Sequence, residues 1–133
     1  MLNNKDYCDY DTCVALKELG YVGICDAYYE LTGNEDYNRD SFELLYTRDF
    51  IHPDDIDRVA APLLYQAQKW LREEKKIVVL VGFDFCPIIS EIVYNWVIVV
   101  NGNSAKKSSY TYDCFEEALS EGIKEAVEIL KEK

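Results

Sequence analysis

Two nearly unbroken apolar runs, Ile77–Phe85 (IVVLVGFDF) and Ile92–Val100 (IVYNWVIVV), flank a short segment containing Pro87. Both predict strands. So short a connection excludes a parallel crossover, which needs a dozen or more residues, and favours antiparallel pairing. The first run is apolar at almost every position, which places it centrally in the sheet. Asn101-Gly102-Asn103 then turns the chain toward a weaker strand at Ser108–Tyr112. A chain committed to this hairpin must cover at least one of its faces.

Two amphipathic helices are available to do so. Pro62 suits a first helical turn. After it Leu63, Ala67, Trp70 and Leu71 form an apolar stripe, with Gln66, Gln68, Lys69, Arg72 and Glu73 on the solvent side. At the C-terminus, Asp113-x-x-Glu116 resembles a capping box, and Phe115, Leu119, Ile123, Ala126, Val127 and Leu130 mark one face. Gly122 interrupts that helix at a cost of about 1 kcal/mol relative to alanine, with no reason visible in the sequence.

Upstream, Asp11-Thr12 offers an N-cap and Gly20 a left-handed C-terminal cap for a short helix carrying Leu16 and Leu19. Ile24–Leu31 alternates, with Cys25, Ala27, Tyr29 and Leu31 on one face. Phe42–Tyr46 is a second strand candidate, inside an acidic segment from Glu35 to Asp57 that otherwise reads as a long loop. The expected fold is therefore α+β. An antiparallel sheet of three to five strands carries two main helices on one face, with a short N-terminal helix besides. The 133 residues show no repeat or linker and are expected to form one domain, 1–133.

Charge narrows the function. Twenty-five acidic residues against 14 basic ones give a net charge of −11. That excludes the counterion-displacing surface of a nucleic-acid binder and disfavours docking on an anionic membrane. The N-terminal residues lack the apolar core of a signal peptide, and no apolar run spans a bilayer. The five cysteines, Cys8, Cys13, Cys25, Cys86 and Cys114, are odd in number and irregular in spacing. They fit reduced thiols in a cytoplasmic protein better than disulfides or a zinc site, so no metal or cofactor is expected.

Chemistry has few handholds. His52 lies among Asp49, Asp54, Asp55 and Asp57, a set able in principle to support a hydrolase or metal enzyme. His52-Pro53-Asp54-Asp55 is similar to a turn of PAS sensor domains, but the strand pattern of that fold does not surround it. Gly-rich phosphate loops, Gly-x-Ser-x-Gly and His-Glu-x-x-His are absent. Enzymatic activity therefore has no positive support. Tyrosine is over-represented, with 11 copies. It gives broad contact area with a polar tip, so Tyr28, Tyr94, Trp96, Tyr110 and Tyr112 are the candidate binding residues.

Three blocks carry a resemblance: Ala15–Tyr21 with Cys25–Tyr29, Ala61–Arg72, and Tyr110–Asp113 leading into Phe115–Ala118. Together they resemble small uncharacterised proteins encoded in the phages, prophages and genomes of gut Bacteroides-type bacteria. The resemblance implies a bacterial cytoplasm and a mobile-element origin, and it brings no assigned activity. The first expectation is a non-catalytic binding protein acting through a protein partner or self-association into a homo-oligomer. The alternative is a small-ligand sensor or sequestering protein with an aromatic pocket between sheet and helices.

Overall fold

The computed structural model describes residues 4–22, 26–30, 44–46 and 58–132. Internal contacts cluster into two compact units, Met1–Leu63 and Leu64–Lys133. Both are α+β with antiparallel sheets.

In the first unit a 3-10 turn (Asn4–Asp6) precedes α1 (Tyr10–Glu18), followed by β1 (Ala27–Glu30), β2 (Leu45–Tyr46) and β3 (Arg58–Ala60). The strand order is β2-β1-β3, antiparallel throughout. Helix α1 starts two residues earlier than the sequence suggests. Asp9 has extended backbone, and its carboxylate accepts the Thr12 N–H at 2.9 Å, so Asp9 is the N-cap and Thr12 is buried inside the first turn. Asp9→Ala should therefore cost about 1 kcal/mol, read as faster hydrogen exchange at the Thr12 amide.

The other end of α1 follows expectation. Gly20 sits at φ +94°, its N–H donates to Lys17 O, and Tyr21 N–H reaches back to Leu16 O, the double closure of a Schellman cap. Strand β1 keeps its alternation, with Ala27 and Tyr29 buried and Glu30 exposed. Tyr29 Oη donates to Cys8 O at 3.2 Å, and its ring meets Tyr10 edge-on at 5.7 Å. Strand β3 has no counterpart in the sequence reading: three residues closing a long acidic stretch carry no period of their own. Pro62 also departs from expectation. It lies before the next helix, and its carbonyl accepts the Cys8 N–H at 3.0 Å beside a Tyr7–Leu63 bridge.

The second unit runs α2 (Leu64–Glu74), β4 (Ile77–Cys86), β5 (Glu91–Val100), β6 (Asn103–Lys107) and α3 (Phe115–Lys131). The three strands form a meander in the order β4-β5-β6. Among the described residues strand β4 is thus an edge, not the centre. A strand entered from a helix has one hairpin partner, whereas β5 has a hairpin on each side. The last strand also starts early. Asn101 and Gly102 both take positive φ (54° and 79°), the geometry of a two-residue type I′ turn, so Val100 pairs at once with Asn103. Of the expected Ser108–Tyr112 strand, Tyr112 keeps an isolated bridge to Tyr94.

Cross-strand register puts Ile77, Val79 and Val81 on one face with Val100, Ile98 and Trp96. Helices α2 and α3 touch each other and pack on this sheet, as the amphipathic stripes required. Leu64, Ala67 and Leu71 of α2 and Leu119, Ile123, Ala126 and Val127 of α3 are buried. The N-cap of α3 is Cys114, without a side-chain cap, so the Asp113 capping box does not form. Gly122 is explained by close approach: a Cβ there would lie 2.7 Å from Val79 Cγ1 and 3.1 Å from Trp96 Cβ. An ion pair of Lys106 with Glu125 ties β6 to α3.

Candidate functional site

The five aromatic candidates do not form one surface. Tyr28 belongs to the first unit, half-buried on β1 with the Arg58 guanidinium 5.6 Å over its ring. The other four belong to the second unit. Trp96 is buried in the core, where its Nε1 donates to Tyr112 Oη at 3.3 Å and its backbone N–H to Ser108 Oγ at 3.2 Å. Tyr94 and Tyr112 exchange backbone hydrogen bonds of 2.9 and 2.8 Å, and the Tyr94 ring meets Phe115 edge-on at 6.3 Å. Tyr110 is exposed. Sheet geometry therefore brings Tyr94, Trp96 and Tyr112 together as a hydrogen-bonded group running from the core to the surface.

A different cluster faces solvent. The β4–β5 hairpin is ten residues long on each side, and on the face that the helices cover its buried positions lie toward the Ile77–Val100 end. Beyond Val81 and Trp96 the same face continues as Phe83, Phe85, Tyr94 and Ile92. Phe83 is 75% exposed, and Phe85 and Ile92 are also exposed. The turn adds Ile88, 91% exposed, and Ile89. Large side chains scattered singly on a surface are ordinary, but five gathered at one end of a hairpin are not. On the opposite face Gly82 makes room for its partner Asn95, whose Oδ1 occupies the space a Cβ would take.

The backbone of β4 is also open along one side. Tyr94 and Trp96 give their backbone groups to the β6 side of β5, so the odd residues of β5 bond to β4. The register Leu80↔Val97 and Gly82↔Asn95 then turns the even residues of β4 inward. Val79, Val81, Phe83 and Phe85 point their N–H and C=O groups outward. Gln68 of α2 confirms this by donating to Val79 O at 2.7 Å, and the exposed Phe85 N–H bonds Asp84 Oδ1 at 3.1 Å. Among the described residues no strand pairs with this edge.

Sequence reasoning missed this cluster by treating Ile77–Phe85 as a central strand. A signal was present: Ile88-Ile89 occupy a turn between Pro87 and Ser90, where polar residues are the norm.

Other chemistry is sparse. His52 and Asp49, Asp54, Asp55 and Asp57 lie outside the described residues. Among the described residues Cys8 and Cys13 are buried, Cys86 and Cys114 half-buried, and none of these four is in a disulfide. No described cluster of three or more His, Cys, Asp or Glu could hold a metal ion, and no described helix is long and apolar enough to cross a membrane. No family model, curated protein or solved structure matches the chain.

Proposed function

We propose that this chain is a non-catalytic protein-binding module whose contact surface is the outer half of the β4–β5 hairpin. The observation that carries the reading is the exposed cluster Phe83, Phe85, Ile88, Ile89 and Ile92. Solvent contact with so much apolar surface is unfavourable by roughly 25 cal/mol per Å², and a protein partner would remove it.

Replacing Ile88 by a photocrosslinking phenylalanine analogue in the full chain tests this directly. Illumination of the purified chain and of a bacterial lysate should give discrete protein adducts at position 88. The same residue at Glu128, exposed on α3, should give few. Equal labelling at both positions, or none at 88, would count against the hairpin as a contact surface.

A further inference from the structure

The open edge and the exposed face meet on the same five residues, Val81–Phe85, and that stretch is self-complementary. We propose that β4 pairs with β4 of a second copy of this chain, antiparallel about a two-fold axis at Phe83, joining two three-stranded sheets into one of six strands. The inference rests on the hairpin being the contact surface and names its occupant.

Register follows from the backbone. With Phe83 opposite Phe83 of the second copy, Val81 stands opposite Phe85, and all three outward-facing residues exchange hydrogen bonds. The ladder stops where the structure stops it. Val79, whose carbonyl is taken by Gln68, would stand opposite Pro87, which has no N–H to give. Shifting the axis to Asp84 would set two carboxylates face to face, which is unfavourable. Shifting it to Gly82 leaves fewer residues in the ladder. In the Phe83 register Asp84 faces Gly82 instead. The Phe85 N–H exchanges its contact with the exposed Asp84 carboxylate for a carbonyl of the second copy.

Side chains agree with the backbone. A two-fold axis perpendicular to the sheet puts Val81, Phe83 and Phe85 of both copies on one face, in a continuous apolar stripe beside Ile92. Across the seam Phe83 stands beside Phe83 of the second copy and Val81 beside Phe85, so cross-strand aromatic and aliphatic contacts add to the main-chain ladder. Natural edge strands are commonly guarded by a lysine, a proline or a bulge. Between Val81 and Phe85 the sole charge is Asp84, and the pairing with β5 runs without a register shift.

Sedimentation of the full chain across the micromolar range, with residue-level amide exchange at each concentration, tests the pairing. The expected result is a closed dimer that tightens with added salt, because salt screens the repulsion of two chains at −11 each. Exchange at the Val81 and Phe83 amides should slow as the dimer fills, while α3 amides stay unchanged. Phe83→Lys places two cations on the axis and should weaken association by at least about tenfold. Phe83 is largely exposed, so the variant should keep its far-ultraviolet circular dichroism, and Val81→Pro, which removes one outward N–H, is the second variant.

A chain that stays monomeric throughout, a dimer that Phe83→Lys leaves intact, or an open-ended series of assemblies overturns the proposal. Monomers that still crosslink to another protein at position 88 overturn the pairing and leave the binding reading standing. A dimer with no adduct at position 88 overturns both.

Discussion

Ile98→Ala is expected to cost the Leu64–Lys133 unit about 2–5 kcal/mol, the usual range for emptying a fully buried aliphatic site. Ile98 has no exposed surface, lies on the middle strand and stands opposite Val79 beneath the helices. Strand β5 is held by ladders on both sides, so neighbours cannot collapse into the space without breaking hydrogen bonds. A unit of this size has only about 3–10 kcal/mol of stability to lose. Urea unfolding followed by tryptophan fluorescence measures the effect cleanly, because Trp70 and Trp96 both lie in this unit. The midpoint should fall steeply with the slope unchanged, and Ile98→Val should lose about 0.5–1.5 kcal/mol. A loss under about 1 kcal/mol for the alanine variant would mean that this core is loosely packed.

Gly122→Ala carries the second large effect, and its sign is the test. On an exposed helix the change stabilises by about 1 kcal/mol through helix propensity. Here the new Cβ lands 2.7 Å from Val79 Cγ1 and 3.1 and 3.3 Å from Trp96 Cβ and Cγ. Val79 is β-branched and stiff at χ1, and the Trp96 atoms in question sit next to the backbone, so neither can swing away. Relief requires α3 to lift from the sheet. Overpacking of this kind costs about 1–3 kcal/mol, which offsets the propensity gain and leaves a net loss; Gly122→Val should lose more. The same urea titration reads it, with near-ultraviolet circular dichroism reporting the Trp96 environment. A stabilised alanine variant would show that α3 shifts outward at little cost.

What the sequence revealed depends on how locally each feature is determined. The apolar stripes of α2 and α3, the Gly20 cap and the Asn101-Gly102 turn are written in adjacent residues, and each appears where the pattern puts it. Helix starts were displaced because several acidic or hydroxyl residues compete for the cap, and only backbone geometry at Asp9 and Cys114 decides between them. The position of β4 in its sheet was not legible. An apolar run describes what a strand would bury, whereas neighbour order depends on which other segments return to it. The candidate surface was hidden for the same reason. Phe83 and Phe85 look like core residues until the lengths of α2 and α3 show where cover ends. Gly122 was visible as an anomaly, but its cause lies in residues 43 and 26 positions away, Val79 and Trp96.

The nearest-neighbour meander of the second unit has a consequence for the order of its assembly. Each strand pairs with the next along the chain, and the Asn101-Gly102 turn needs almost no loop closure, so low contact order favours early formation of the hairpins. Helix α3 must dock last on the sheet, since its contacts with α2 and β4 span the widest chain separations in the unit. During that interval the tryptophan-bearing half of this face is as bare as the phenylalanine-bearing half. The same ribbon that is half open in the native chain is then wholly open in its precursor, and it stays exposed to aggregation until the C-terminal residues wind into α3 and dock.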